Sequence, residues 1–125
     1  MKTDFVEIFQ TIRASLQPYT SNGFIARENS ETNYELWSER NIVVDGKEKH
    51  ELFFASVKIT KSNVEFHLMA TDLENEINNI AHPELLKLLN GKSDFQLTKL
   101  DDNLMEQIDA ALAAAYTIYK QKEWI

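Results

Sequence analysis

The sequence contains no cysteine, and this absence excludes several kinds of chemistry. A chain without thiols cannot build a disulfide scaffold, use a cysteine nucleophile, or hold zinc or an iron–sulfur cluster through cysteine. The sequence also lacks any apolar run approaching the roughly 18–20 residues that span a bilayer. Acidic Asp4 and Glu7 interrupt the N-terminal segment, which is therefore unlike a signal peptide. These absences predict a cytoplasmic protein that does not enter a membrane.

The sequence is also poor in positive charge, and its composition is that of one globular domain. Its 13 Lys and Arg residues stand against 20 Asp and Glu residues, which gives a formal net charge of −7. Because phosphate backbones attract clusters of Lys and Arg, nucleic acid is not an expected partner. The apolar fraction of 43% is close to the roughly 45–50% of globular proteins. We therefore predict a packed core and a single domain over residues 1–125.

Residues 51–70, ELFFASVKITKSNVEFHLMA, predict a β-hairpin at the centre of a sheet. Lys61 and Ser62 form its polar turn. A strand over residues 34–44 precedes it, and Asp45 and Gly46 are a strong signal for the hairpin turn that joins this strand to residues 47–60. With two-residue turns, one face of the meander is apolar and forms the core. This predicted core face consists of Tyr34, Leu36, Phe53, Ala55, Val57, Ile59, Val64, Phe66 and Leu68.

The second face of the predicted meander carries the candidate site residues. They form a polar row of Glu35, Ser56 and His67 and an apolar row of Trp37, Phe54 and Met69. A contiguous apolar row marks a ligand groove or a protein interface when it is exposed. Three explanations remain open at this point. A loop or the terminus with Trp124 and Ile125 covers the row, the row is a homodimer interface, or it lines a small-molecule pocket.

Apolar residues at helical spacing predict a first helix over residues 3–17 and a last helix from Asp101 or Asp102 to about Lys122. The buried stripe of the last helix is predicted to be Leu104, Ile108, Leu112, Ala115 and Tyr119. Further elements are a strand over 24–28, a short helix around Leu73, Ile77 and Ile80, a helix over 84–89 closed by Gly91, and a strand over 94–99. The predicted fold is α+β, with an antiparallel sheet of about four to five strands and the N-terminal and C-terminal helices on one face.

Four segments in this order resemble the YdhG-like family of small bacterial domains. They are residues 64–69 (VEFHLM), 83–85 (PEL), 91–95 (GKSDF) and 100–101 (LD). The resemblance covers roughly residues 4–122. The sequence departs from the family pattern at Ala70 and Thr71, where proline and an aromatic are usual, at Asp94, where cysteine is frequent, and at His82, where serine is frequent. The resemblance implies a compact α/β sandwich, and most of the family has no known function.

Iron delivery is a second implication of this resemblance, because one member of the family is described as a frataxin-like iron chaperone. The residues themselves give iron little support. Asp102, Glu106 and Asp109 share one helical face and could hold divalent ions loosely, but a solvated face is the more common meaning of such a pattern. The three histidines show no metal-ligand spacing, so no metal ligands are assigned.

Two further motifs have ordinary structural interpretations. The triplet Gly91, Lys92 and Ser93 resembles the end of a phosphate loop, but the required earlier glycine is absent, and a helix cap is the better interpretation. Ser56 and His67, with Glu35 one strand away, invite a hydrolase hypothesis. They lie on flat strands, however, without the sharp turn that exposes a nucleophile. A hydrogen-bonded polar row is therefore preferred.

The function predicted from the sequence is that of a non-enzymatic, cytoplasmic binding or interaction domain of the YdhG-like type. Its candidate surface is the face of Trp37, Phe54 and Met69, and its expected partner is a second copy of the chain or a small-molecule ligand. The first alternative is a frataxin-like iron-binding chaperone. The second alternative is a small hydrolase that uses Ser56 and His67. No cofactor is expected apart from the iron that the resemblance implies.

Overall fold

The computed structural model describes residues 1–44, 46–68, 81–90 and 94–125, with Val44 described by its backbone alone. Several predictions therefore lie outside the described residues. They concern Asp45, the apolar position Met69, the short helix around Leu73, Ile77 and Ile80, and the helix cap at Gly91.

The described chain contains three α-helices, one 3-10 helix and eight strands. The helices are α1 (Phe5–Leu16), α2 (Pro83–Leu86) and α3 (Asp102–Gln121), and the 3-10 helix Gln17–Asn22 follows α1. The strands are β1 (Ile25–Asn29), β2 (Asn33–Ser38), β3 (Ile42–Val44), β4 (Lys47–Lys49), β5 (Leu52–Ile59), β6 (Val64–Leu68), β7 (Leu89–Asn90) and β8 (Asp94–Leu97).

Six strands form one antiparallel sheet in the order β1-β2-β5-β6-β8-β7, while β3 and β4 form a separate two-stranded ribbon. This confirms the predicted α+β class. The sheet is wider than expected because Leu89, which was predicted to be helical, and Asn90 pair with β8 instead. The helix over 84–89 was therefore predicted too long, since α2 ends at Leu86.

Both long helices begin at an aspartate that accepts a hydrogen bond from the first turn. Asp4 accepts from the Val6 amide at 2.9 Å, and Asp101 accepts from the Leu104 amide at 2.8 Å. These caps satisfy amides that have no partner within the helix. The buried residues of α1 are Ile8, Phe9, Ile12 and Leu16, and those of α3 are Leu104, Ile108, Ala111, Leu112, Ala115 and Tyr119. The predicted apolar stripe of the last helix is confirmed.

The predicted register of the central meander is confirmed along most of its length. Tyr34 pairs with Val57 and Leu36 with Ala55. The hairpin of β5 and β6 pairs as predicted at Ala55 with Leu68, Ser56 with His67, Val57 with Phe66, Lys58 with Glu65 and Ile59 with Val64. One face of the meander is therefore apolar and lies under α1 and α3, and we call it the inner face. We call the opposite face of the six-stranded sheet the outer face.

The register fails at one place, where β5 contains a bulge. Leu36 pairs with Ala55 but the next residue, Trp37, pairs with Phe53, so Phe54 is an extra residue in β5. A bulge interrupts the alternation of side chains between the two faces. Phe54 is 0% exposed and stacks on Phe24, with ring centroids 4.1 Å apart. The assignments of Phe54 to the outer face and of Phe53 to the core were therefore wrong.

The predicted long strand over residues 34–44 is broken. β2 ends at Ser38, and the ribbon of β3 and β4 begins at Ile42. Within the ribbon Val44 pairs with Lys47, which confirms a two-residue turn, and Gly46 adopts the left-handed φ of 78° that such a turn requires. The ribbon is thus an appendage to the sheet rather than part of the meander.

The C-terminus folds back onto the inner side of the sheet. Glu123 has a φ of 60°, and the Trp124 amide donates to the Tyr119 carbonyl at 2.9 Å. The Trp124 ring meets the Tyr119 ring edge to face, 5.3 Å away, and Trp124 is only 5% exposed. The Ser38 hydroxyl donates to the Trp124 carbonyl at 2.6 Å. Trp124 therefore completes the core and does not cover the outer face.

Candidate functional site

A row of polar side chains crosses five strands of the outer face. Register places its members opposite one another in the order Glu28, Glu35, Ser56, His67 and Asp94. Directly opposed residues of antiparallel strands lie on the same face with neighbouring side chains. We call this set the outer row. It confirms the predicted row of Glu35, Ser56 and His67 and extends it by one residue at each end.

Glu35 is held in place from both sides by residues of its own strand. The side-chain amide of Asn33 donates to Oε2 at 3.2 Å, and the indole Nε1 of Trp37 donates to Oε1 at 3.1 Å. Residues two apart in a strand point to the same face, which is why both donors reach this carboxylate. The Glu35 carboxylate therefore has a fixed orientation at the centre of the outer face.

Trp37 has an aromatic neighbour and a cationic one. Its ring meets Phe53 edge to face with centroids 5.4 Å apart. The Arg27 guanidinium lies 4.7 Å from the centroid of the same ring. Arg27 is also ion-paired with Glu39 at 2.8 Å and with Glu51. The positive charge beside Trp37 is thus compensated by two carboxylates.

These ion pairs displace the pKa of two groups. Hydrogen bonds to Glu51 and Glu39 raise the pKa of Arg27 above its ordinary value. The hydrogen bond from Arg27 lowers the pKa of the Glu51 carboxyl below its ordinary value. Both displacements favour the charged forms, so the margin of the outer face beside Trp37 remains ionised at neutral pH.

His67 lies between two carboxylates. Its Nδ1 contacts Asp94, and its Nε2 lies 3.5 Å from Glu65 Oε2. The imidazole is partly exposed, with 29% of its side-chain surface accessible. Since both ring nitrogens face acidic groups, neither is directed at Ser56. Within the described part of the chain, no hydrogen bond joins Ser56 to His67, so the prediction of a hydrogen-bonded row was wrong for this pair.

Ser56 is the most enclosed member of the outer row. It is only 6% exposed, and its hydroxyl has no hydrogen-bond partner among the described residues. It lies on the floor of an open depression of about 320 Å³ in the outer face. The lining of this depression consists of Asn33, Glu35, Trp37, Phe53, Ser56, Lys58, Glu65 and His67.

Acidic groups outnumber basic ones around this depression. Glu28 and Glu35 oppose each other across β1 and β2, and like charges in that position repel. Lys58 is the basic side chain of the lining, and register places it opposite Glu65. Among the described residues, no ion pair joins Lys58 to Glu65. The face therefore carries uncompensated negative charge.

The predicted site residues divide into three groups. Glu35, Ser56 and His67 meet as predicted, with Trp37 beside them. Phe54 lies in the core, and Phe53 takes its place beside Trp37. Met69 lies outside the described residues.

Sequence reasoning missed Asp94 and Arg27 as members of this surface. Asp94 had a usable signal, because a strand was predicted from residue 94 and the His67 register could have been extended to it. Arg27 had no such signal, since its approach to Trp37 depends on a bulge in β1 between Ala26 and Glu28.

No group of three or more His, Asp or Glu side chains is arranged to hold a metal ion within the described ranges. Asp102, Glu106 and Asp109 are exposed on α3. Among the described residues, no helix has both the length and the apolarity needed to cross a membrane. Comparison of the chain with family models, with curated proteins and with solved structures gave no match. The YdhG-like resemblance therefore rests on the four sequence segments alone.

Proposed function

We propose that this protein is a non-enzymatic binding domain that holds a small-molecule ligand on the outer face of its sheet. One observation carries the proposal. Ser56 is 6% exposed as a residue, its hydroxyl lacks a hydrogen-bond partner among the described residues, and it lines a depression of about 320 Å³ that leaves this hydroxyl accessible. Because this hydroxyl makes no hydrogen bond to a described residue but reaches the depression, its partners there are water or a ligand.

The lining supports a small molecule in particular. The volume lies at the lower end of the roughly 300–1,000 Å³ found for ligand sites. Trp37 and Phe53 supply apolar surface, and Glu35, Ser56 and Lys58 supply polar groups that converge on the same space. A few directed polar groups on an aromatic surface are the usual composition of such sites.

Hydrolysis through Ser56 and His67 has less support. A serine nucleophile needs a base within hydrogen-bond reach of its hydroxyl. Both ring nitrogens of His67 face carboxylates instead, Nδ1 towards Asp94 and Nε2 towards Glu65. This arrangement favours a structural role for His67, which links β6 to β8.

Iron binding of the frataxin type also has less support than ligand binding. The acidic residues of the outer row are spread over separate strands, and adjacent strands lie about 4.8 Å apart. Glu65 and Asp94 approach opposite nitrogens of His67, so they do not converge on one point. Membership of the YdhG-like family and a cytoplasmic location remain part of this proposal, on the sequence features alone.

A fragment library screened by two-dimensional ¹H–¹⁵N NMR tests the proposal. We expect some fragments to shift the amide signals of Glu35, Ser56 and His67 together with the Trp37 indole signal, and to leave α3 unchanged. Ser56→Val puts a methyl in place of the hydroxyl and narrows the depression. It should therefore lower the affinity for these fragments. Ser62→Val is the matched control, because Ser62 is exposed in the turn between β5 and β6.

Two results would sink this proposal. One is a library in which no fragment shifts the outer-face signals. The other is a stable dimer, seen by light scattering, in which Trp37→Ala dissociates the two copies. The second result would instead assign the outer face to a homodimer interface.

A further inference from the structure

We propose that the ligand of the outer face is a small organic cation. Its ammonium or guanidinium group lies between Glu35 and Ser56, and its apolar part lies along Trp37 and Phe53. The inference rests on the proposed function, because it names the class of ligand for the same surface.

The first argument is electrostatic. The lining of the depression supplies two carboxylates, those of Glu35 and Glu65, and one ammonium, that of Lys58, while Glu28 and Asp94 add two carboxylates beside it in the outer row. Glu28 and Glu35 are directly opposed, and neither forms an ion pair with a cation among the described residues. A positively charged group placed between them and Ser56 removes this repulsion. An anion in the same place would increase it.

The second argument is that two hydrogen bonds already orient the Glu35 carboxylate as an acceptor. Asn33 and Trp37 each occupy one site on its two oxygens, at 3.2 Å and 3.1 Å. A carboxylate has about four acceptor sites, so both oxygens can still accept a further hydrogen bond. Because the carboxylate is already oriented, an incoming N–H donor loses little free energy to ordering it.

The third argument, independent of charge, is the unpartnered hydroxyl of Ser56. It is 6% exposed, faces the depression, and pairs directly with Glu35 in the register of β2 and β5. An ammonium or guanidinium group has several N–H donors in fixed proximity. One such group can donate to Glu35 and to Ser56 at once, which satisfies both acceptors of the site.

The fourth argument is that Trp37 already holds a cation of the protein itself. The Arg27 guanidinium lies 4.7 Å from its ring centroid, a distance at which the ring attracts positive charge. Glu39 and Glu51 compensate Arg27, so Arg27 does not repel a second cation nearby. Phe53 continues the aromatic surface beside Trp37 and receives the apolar part of the ligand.

Three compounds of similar shape and different charge test the inference. They are 2-phenylethylammonium, 2-phenylethanol and phenylacetate, each titrated into the ¹⁵N-labelled protein while the Trp37 indole and Ser56 amide signals are followed. We expect the cation to bind at least about tenfold more tightly than the alcohol, since a hydrogen bond to a charged group is stronger than one between neutral groups. Phenylacetate should bind most weakly, and added salt should lower the affinity of the protein for the cation.

Three matched Glu→Gln variants identify which carboxylate the affinity for the cation depends on. Glu35→Gln should lower the affinity for 2-phenylethylammonium about tenfold, again from the loss of one charge-assisted hydrogen bond. Glu28→Gln should lower it by a smaller factor and leaves the Asn33 and Trp37 contacts of Glu35 intact. Glu106→Gln on α3 removes the same charge far from the site and should leave the affinity unchanged.

The inference is overturned if the alcohol or phenylacetate shifts the same signals as strongly as the cation. It is also overturned if Glu35→Gln and Glu106→Gln have equal effects. In both cases the face still binds a small molecule, so the proposed function stands without its cationic ligand. If none of the three compounds binds, the cation inference fails, and the fragment library decides the proposed function separately.

Discussion

The inner and outer faces of the sheet each enclose one serine, and the two hydroxyl groups differ in their partners. Ser38, on the inner side, is 0% exposed and donates to the Trp124 carbonyl at 2.6 Å. Ser56, on the outer face, is nearly as enclosed and has no partner among the described residues. The serine of the inner face therefore has its partner within this chain. On the outer face the Ser56 hydroxyl has no hydrogen-bond partner among the described residues, which is why we propose that a ligand binds there.

The neighbouring phenylalanines Phe53 and Phe54 show the same contrast for apolar groups. Phe54 lies in an inner aromatic cluster, 4.1 Å from Phe24 and 5.2 Å from Tyr119 between ring centroids. Phe53 is half-buried and has the single ring contact with Trp37 among the described residues. Aromatic surface is thus buried in the core on one face and half-buried on the other, where we propose that a ligand binds.

Truncation of the two phenylalanines should give the largest difference between the faces. Phe54→Ala should lower the free energy of unfolding by about 3–5 kcal/mol, because it leaves a cavity in a closed core. Phe53→Ala should lower it by about 1–2 kcal/mol, since a half-buried side chain loses less apolar burial. Urea unfolding followed by circular dichroism measures both. Equal losses would mean that the outer face is as closed as the inner one.

The two serines give a smaller but more specific comparison. Ser38→Ala should cost about 1 kcal/mol, because it removes a buried hydrogen bond and leaves the Trp124 carbonyl without its donor. Ser56→Ala should change stability by less than about 0.5 kcal/mol, since no hydrogen bond is lost. The same urea experiment measures the pair. A cost for Ser56→Ala equal to that of Ser38→Ala would indicate a hydrogen-bonded Ser56 and contradict its proposed availability.

Charge reversal at Glu28 tests the repulsion across the outer face. Glu28→Lys replaces a like-charge pair with Glu35 by an opposite pair and should stabilise the protein by about 0.2–1 kcal/mol. The gain should shrink in high salt. Glu31→Lys, in the exposed loop between β1 and β2, makes the same change in net charge and serves as the control. Equal gains in both variants would point to the net charge of −7 rather than to the Glu28 and Glu35 pair.

The smallest expected effect on stability is the pH-dependent contribution of Glu51, which lies at the margin of the outer face. Arg27 lowers the pKa of Glu51 in the folded protein, so its stabilising contribution is present above the ordinary value of 4.5 and is lost as the pH falls through the folded value. Glu51→Gln removes this contribution. Its stability deficit relative to the wild type should therefore be largest near neutral pH and narrow below about pH 4.5.

Melting temperatures between pH 3 and pH 7 measure this narrowing, with Glu106→Gln correcting for the loss of one charge. A deficit that stays constant with pH would mean that the hydrogen bond from Arg27 to Glu51 does not shift this carboxyl in solution.

Local rules were sufficient for a large part of the fold. The caps at Asp4 and Asp101 and the buried stripe of α3 follow from residues within one or two turns of a helix. The register of β5 with β6 follows from a short turn and from the cost of exposing an apolar face. The row of Glu35, Ser56 and His67 followed directly from that register.

The bulge at Phe54 could not be derived in this way. Phe53 and Phe54 are adjacent and identical, so period-two alternation alone does not say which of them points inwards. The choice depends on a space between Phe24 and Tyr119 that only the packed helices create. The final position of Trp124 is another long-range outcome, since its partner Ser38 is 86 residues away.

The sequence by itself determined the α+β class, the buried stripe of the last helix, the register of β5 with β6 and the polar row, because short-range periodicity and turns specify them. The tertiary structure decided which phenylalanine faces outwards, where the C-terminus packs, and that Ser56 has no hydrogen-bond partner among the described residues. Those outcomes depend on how elements distant in the sequence pack against one another, and local sequence patterns do not specify that packing.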